Sequence, residues 1–160
     1  MKKINVRDIA ESFSSSPKGR FARGVKDVSV ALGRKPDSLD LRERQPFDVQ
    51  ICRIPPGKSR CPFHLHTSQF EFFQVLSGSG SIRHKDGLMS VVPGDAFQFA
   101  PGEPHQLIND GAEDFVLLIV ADNPLSEACY YPDSNKWLIE APDGPILKGI
   151  QVDYFEGEEW

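Results

Sequence analysis

Short apolar runs separated by glycine and proline fill the middle of this 160-residue chain. Turn-forming groups such as Pro55-Pro56-Gly57 and Pro93-Gly94-Asp95 come directly after these runs. Seven β strands at short spacing, with no long helical pattern between them, predict an all-β sandwich or barrel. The runs, rich in β-branched and aromatic residues, occupy 47–54, 70–76, 81–84, 88–92, 96–100, 105–109 and 115–120.

The segments on either side of this region have a different character. Residues 1–45 carry many charges around isolated apolar residues, which predicts an arm laid over the main domain, with a short helix over 6–13. Residues 46–122 form the predicted barrel core. Residues 123–160 are a predicted C-terminal extension that packs on the barrel or on a dimer partner. A chain of this length supports one domain overall. The aromatic residues expected to anchor the extension are Trp137, Tyr154, Phe155 and Trp160.

Composition and charge narrow the classes of function. Charged residues make up 26% of the chain and the formal net charge is −5, a balance that argues against binding to nucleic acid or to an anionic membrane. The charged N-terminus does not have the pattern of a signal peptide, and the longest apolar run, 115–121, is too short to cross a bilayer. Three cysteines without an export signal predict reduced thiols in a cytoplasmic protein.

Four potential metal ligands fall in two clusters, with His64, His66 and Glu71 in the first and His105 in the second. Residues two apart on a strand share a face, so His64 and His66 project into one space. Glu71 breaks this alternation, and Thr67-Ser68-Gln69 must therefore form a turn or bulge before Glu71 opens a new strand.

Three imidazoles and one carboxylate suit a divalent ion such as Mn, Fe, Co, Ni, Cu or Zn. A single strand histidine is more often a hydrogen-bonded structural residue than a ligand. Three of the four histidines of the chain, however, belong to this one pattern, and that concentration predicts a site for one divalent metal. Four protein ligands leave room for water or substrate on an octahedral ion. The remaining histidine, His84, lies beside a turn and is expected to be exposed and separate from the site.

These residues resemble the two sequence motifs of the cupin superfamily. Relative to the first family motif, one extra residue separates the first glycine from the His-x-His pair; in the second, alanine replaces a proline. The first motif corresponds to Gly57, His64, His66, Glu71 and Gly78, and the second to Gly94, Ala100, Pro101, Gly102, His105 and Asn109.

The resemblance implies a double-stranded β-helix, the cupin jelly-roll barrel, with the metal near its wide mouth. It also implies a homodimer, commonly formed through exchanged terminal strands. Tail segments 130–136 and 152–158 look like those of a bacterial single-cupin group often called sugar-phosphate-isomerase-like. Fold alone does not fix function.

Three functions remain open at this stage. One is a metalloenzyme acting on a small polar metabolite such as a sugar or sugar phosphate, in an isomerase-like reaction. Another is an iron-dependent dioxygenase, and the third is a non-catalytic module that binds a small ligand. Glu71 as a metal ligand is a poor general base, and the sequence identifies no second carboxylate that must face the pocket, which weakens the isomerase version.

Several neighbours of the ligands are candidate pocket residues. Cys61 is either a small buried loop residue or a thiol near the metal. Arg60 is either a solvated loop charge or a group that steers an anionic substrate. Strand alternation adds three residues as apolar pocket lining, namely Phe73, Val75 and Leu107.

Overall fold

The computed structural model describes residues 1–36, 38, 40–139, 146–150, 154 and 156. Within these residues the chain forms thirteen strands, two short α helices and two 3-10 turns, at Val6–Asp8 and Pro132–Ser134. The helices are α1 (Val28–Leu32) and α2 (Leu41–Arg44). The strands are β1 (Ser12–Ser15), β2 (Ala22–Asp27), β3 (Phe47–Ile54), β4 (Leu65–His66), β5 (Glu71–Ser77), β6 (Gly80–His84), β7 (Gly87–Val91), β8 (Ala96–Phe99), β9 (His105–Ile108), β10 (Phe115–Asp122), β11 (Ala128–Tyr131), β12 (Lys136–Ile139) and β13 (Ile146–Lys148).

The main sheet has six strands in the order β1-β2-β3-β10-β5-β8. Burial alternates along β10, where Phe115, Leu117, Ile119 and Ala121 face inward and the residues between them are only partly buried. This period of two is the pattern of a strand with one face against a core. β3 and β5 flank β10, so their inward residues continue the same face.

Two smaller sheets, β13-β12-β11-β4 and β7-β6-β9, form the opposite layer. Backbone hydrogen bonds connect them: the His64 N–H donates to the His105 carbonyl at 3.1 Å, and the His105 N–H donates to the His64 carbonyl at 2.8 Å. Ile82 and Leu107 from this layer pack into one core with Phe73 of the main sheet. The architecture is a two-layer jelly roll, as the sequence predicted.

The N-terminal residues differ from their predicted structure. The expected helix over 6–13 is wrong: only the 3-10 turn at Val6–Asp8 forms, and Phe13 belongs to β1. Residues 12–27 are also not simply laid over the barrel, because β2 pairs with β3 and extends the main sheet. The pattern of apolar residues did not predict this strand, because charged residues occupy most of Arg23-Gly24-Val25-Lys26-Asp27. The division at residue 45 stays a prediction.

The C-terminal residues supply three of the seven strands of the second layer, β11, β12 and β13. β11 pairs with β4, and the ring centroids of Tyr130 and Trp137 lie 4.7 Å apart. Tyr154 is exposed, whereas Phe155, Trp160 and most of segment 152–158 lie outside the described residues. None of the helices found in the described ranges is long and apolar enough to cross a membrane.

Candidate functional site

A turn places Glu71 on the same side as His66 of β4 and His64 just before that strand. Residues 67–70 carry no strand, and the Glu127 carboxylate accepts the backbone N–H groups of Thr67 at 3.0 Å and of Ser68 at 2.9 Å. Glu71 then opens β5 on its inward face. The turn expected from the broken alternation is therefore present, and a residue from the C-terminal segment holds it.

The four candidate ligands lie together at the meeting point of the two layers. Glu71 Oε2 is 2.9 Å from His105 Nε2 and 3.2 Å from His66 Nε2. The candidate ligand atoms of His64, His66 and Glu71 all lie within 4.8 Å of one another. The His64 ring centroid is 4.7 Å from that of His105, which completes the group. Glu71 and His105 are almost fully buried.

Each of the three imidazoles is oriented by an oxygen acceptor at Nδ1. His64 Nδ1 donates to the Pro62 carbonyl at 2.9 Å, and His105 Nδ1 donates to the Glu103 carbonyl at 3.1 Å. His66 Nδ1 faces Glu127 Oε1 at 3.2 Å. A proton on Nδ1 leaves Nε2 with its lone pair, the arrangement that metal-binding histidines adopt.

Burial and neighbouring charges shift the pKa values of these residues in different directions. Burial lowers the pKa of His64 to about 4, so its imidazole is neutral. Burial also lowers the pKa of His66, but hydrogen bonds with Cys129 and Glu71 outweigh it and raise the pKa to about 10. Burial raises the pKa of Glu71, yet the Arg60 charge and its hydrogen bonds with histidine hold it well below its usual value.

A cavity of about 320 Å³ opens beside the cluster, a size that suits a small metabolite. His64, His66 and Glu71 line it, while His105 lies deeper, with its ring stacked on Phe99 at 4.0 Å. The polar and charged residues that share the lining and enter the arguments below are Arg23, Arg34, Asp48, Gln50, Arg60 and Tyr131.

The sequence also made predictions about residues close to the candidate ligands, and the structure agrees with some of them and not with others. Arg60 is not a solvated loop charge, because its side chain is only 12% exposed and Nη1 lies 3.5 Å from Glu71 Oε1. Cys61 lines the cavity, with Sγ 3.6 Å from His64 Nδ1. His84 does not line this cavity; its Nδ1 accepts the Asp86 backbone N–H.

The predicted apolar lining is wrong. The three residues lie in the buried core, where the opposite layer covers the inward face of their strands. Apolar contacts to the cavity come instead from Ile119, Ala121 and Leu138. The residues assigned to the lining by strand alternation alone were Phe73, Val75 and Leu107.

Sequence reasoning missed several polar residues in and behind the site. Asp48 shares a face of β3 with Gln50 and with the buried Cys52 and Ile54, so strand alternation could have revealed it. Arg23 and Glu127 belong to segments whose pairing partners are distant in sequence. No local signal in the sequence marks either of them.

Comparison with known proteins agrees with this architecture. Residues 50–121, which contain all four candidate ligands, match the family model of the cupin domain, and the jelly-roll fold agrees with this match. No curated protein matches the sequence.

Solved structures resemble most of the chain. One, from Acidithiobacillus ferrooxidans, provisionally named a sugar phosphate isomerase, has a TM-score of 0.78 at 23% identity, covering 92% of this chain and 91% of its own. The Silicibacter pomeroyi protein named a sugar phosphate isomerase from a cupin superfamily has a TM-score of 0.76 at 24% identity, covering 92% of both chains. A Thermotoga maritima protein named a predicted oxalate decarboxylase has a TM-score of 0.62 at 20% identity, covering 77% of this chain and all of its own. At these identities the likeness shows the fold.

Proposed function

We propose that His64, His66, Glu71 and His105 hold one divalent metal ion. The support is the convergence of imidazole nitrogens on the buried Glu71 carboxylate, with His105 Nε2 at 2.9 Å and His66 Nε2 at 3.2 Å from Oε2. His66 Nε2 is buried beside this carboxylate. Burying lone pairs against a carboxylate is costly unless a positive charge neutralises them. The donor set fits Mn, Fe, Zn, Ni, Co or Cu.

We further propose that the chain is a metal-dependent enzyme that acts on a small polar metabolite, such as a sugar or sugar phosphate, in an isomerase-like reaction. One observation carries this choice: the cavity contains a second carboxylate, Asp48, in addition to Glu71. Burial raises the pKa of Asp48 even though Arg34 Nη1 lies 3.7 Å away and opposes the rise. A carboxylate with a raised pKa is suited to accept and return a proton.

Asp48 lies between a hydrogen-bond donor and a positive charge. Gln50 Nε2 donates to Oδ2 at 2.8 Å, and Arg34 Nη1 lies 3.7 Å from Oδ1. A metal bound by the four ligands would polarise a substrate carbonyl. In an isomerase-like reaction, Asp48 takes a proton from the hydroxyl-bearing carbon beside that carbonyl and returns it to the former carbonyl carbon, while the hydroxyl proton passes to the former carbonyl oxygen.

The names of the similar structures supply the first substrates to test. Metal-loaded protein is incubated with aldose and ketose phosphates in D₂O, and proton NMR follows the exchange of substrate hydrogen for deuterium. We expect exchange with the unmodified protein, loss of at least about a hundredfold in Asp48→Asn, and no change in the exposed control Asp86→Asn. Oxygen uptake by iron-loaded protein without exchange would favour the dioxygenase instead. Ligand-dependent thermal shifts without turnover would favour a binding module.

Metal binding is tested separately, by elemental analysis of protein purified without a histidine tag. We expect about one equivalent per chain, and little in the double variant His64→Ala, His66→Ala. The matched control is His84→Ala, a histidine outside the cluster. Equal metal content in the double variant and in the control would contradict the proposed site.

A homodimer and a cytoplasmic location remain proposals. The outer face of β5 exposes Phe72 and Leu76, with 36% and 46% of their surfaces accessible, and an apolar face of this kind suits a second copy. Light scattering would measure the mass in solution. The three cysteines are free thiols, which agrees with a reducing compartment.

A further inference from the structure

Positive charge exceeds negative charge in the cavity. Three arginines line it against two carboxylates. Arg34 lies beside Asp48 at 3.7 Å, and Arg60 lies beside Glu71 at 3.5 Å. Arg23 forms no hydrogen bond or ion pair with any residue that the structure describes. Counting these five side chains alone, the cavity carries one excess positive charge, and a protonated His66 or a divalent ion would increase the excess.

Arg23 reaches the cavity because of its position on β2. Val25 is paired with Cys52 and packs against the core, so Arg23, two residues earlier, lies on the same inward face. Partial burial of a guanidinium without a carboxylate partner is costly. Such a group is well placed to bind an anion that arrives with the substrate.

Arg23 and Arg60 line the same cavity, together with Cys61. The Arg60 side chain is only 12% exposed. Arg60 also retains an unused donor, because Nε is buried without a hydrogen bond to a described residue.

Tyr131 adds a hydrogen-bond donor to the lining of the same cavity. Its ring stacks on His64 with 6.0 Å between ring centroids. Its hydroxyl makes no hydrogen bond with any described residue. The phenol O–H can therefore donate one hydrogen bond to a bound anion.

We propose that Arg23, Arg60 and Tyr131 form a subsite for the anionic group of the substrate, a phosphate or a carboxylate on a compact metabolite. Guanidinium groups bind both anions through paired N–H donors, and a phenol adds one further hydrogen bond. The formal net charge of −5 repels anions from the rest of the surface, so binding depends on this local excess. The inference rests on the proposed function for its role in turnover, but anion binding itself does not require the metal.

Isothermal titration with inorganic phosphate, and separately with acetate, tests the subsite in metal-loaded and metal-free protein. We expect Arg23→Gln to weaken binding of the preferred anion at least about tenfold. The control Arg20→Gln removes the same charge from an exposed position outside this cavity, and we expect less than a twofold change. Arg23→Lys keeps the charge but lacks the paired donors, so its anion affinity should lie between that of Arg23→Gln and that of the unmodified protein. Tighter binding of phosphate than of acetate indicates a phosphate ester as substrate, and tighter binding of acetate indicates a carboxylate.

Equal anion affinity in Arg23→Gln and in the unmodified protein would overturn the proposal, as would the absence of binding by either anion to metal-loaded protein. Thermal unfolding checks that each variant folds. Failure of the proposed function has a different signature: no metal is retained, yet metal-free protein still binds the anion through Arg23. A different result would contradict only the subsite. In that case the protein retains metal and catalyses Asp48-dependent exchange, but the Arg23→Gln substitution leaves its anion affinity unchanged.

Discussion

His66 Nδ1 lies 3.2 Å from Oε1 of Glu127, a residue 61 positions further along the chain. The same carboxylate accepts the N–H groups of Thr67 and Ser68, in the turn that carries the chain from β4 to β5. Glu127 therefore orients a candidate ligand and also holds the turn that brings Glu71 to it. A carboxylate behind a metal-binding histidine fixes the ring and increases its basicity.

Glu127→Gln should weaken metal binding by about 10- to 100-fold, the usual effect of removing such a partner. The amide keeps one oxygen acceptor but loses the charge that supports His66. Competition with a chromophoric chelator measures the affinity. Glu113→Gln, at an exposed carboxylate, is the matched control and should bind metal like the unmodified protein. Equal affinities in the two variants would show that Glu127 serves the turn alone.

The sequence predicts those parts of the fold whose signal lies within a few neighbouring residues. The seven central strands were predicted nearly to their ends, because alternation and glycine-proline turns act over a few residues. β2 was missed because charged residues occupy it, and its strand conformation depends on pairing with β3. Glu127 could not be placed because its role depends on β11 pairing with β4, two strands about 60 residues apart in sequence. Asp48 is an intermediate case. It was not predicted, although the alternation of inward-facing residues along β3 is a local signal that includes it.

Gly78→Ala should destabilise the fold far more than Gly57→Ala. Both glycines have left-handed backbones, with φ of 70° and 69°, so alanine meets the same conformational strain of about 1–2 kcal/mol at each. A Cβ at Gly78 would also overlap the Asp114 carbonyl, whereas nothing lies within 4 Å of a Cβ at Gly57. We expect an additional loss of about 1–3 kcal/mol for Gly78→Ala. Urea unfolding of both variants measures the difference, and equal losses would contradict the steric argument.

Asn109 has a structural role that the second sequence motif did not reveal. It is fully buried, and Nδ2 donates to the carbonyls of Ile54 at 2.7 Å and Glu113 at 2.8 Å, while Oδ1 accepts the Gly111 N–H at 3.0 Å. Asn109→Ala leaves all three backbone groups without this partner and should cost about 2–4 kcal/mol of unfolding free energy. Denaturant unfolding measures the loss. Metal content per folded chain should stay unchanged; a selective loss of metal would place Asn109 in the site.

Metal removal should lower the melting temperature. At a free metal concentration one hundred times Kd, binding adds about 2.7 kcal/mol to stability, which corresponds to roughly 5–10 °C for a domain of this size. Calorimetry before and after treatment with a chelator measures the shift. The double variant His64→Ala, His66→Ala should melt at the same temperature with and without the chelator. An equal chelator effect in that variant would locate the stabilising metal elsewhere.

Asp48→Asn should make the protein more stable at neutral pH while abolishing the proposed proton transfer. Burial raises the native pKa of Asp48 above its ordinary value of 3.8, so the folded state binds this proton more tightly than the unfolded state does. Stability therefore falls as pH rises from 3.8 through the raised native pKa, and the cost persists at pH 7. Asparagine carries no charge to bury, so we expect a gain on the order of 1 kcal/mol at pH 7 that disappears below the ordinary pKa. Urea unfolding across pH, with the exposed Asp86→Asn as control, measures it. Lower stability of Asp48→Asn at pH 7 would mean that attraction to Arg34 outweighs the cost of burial.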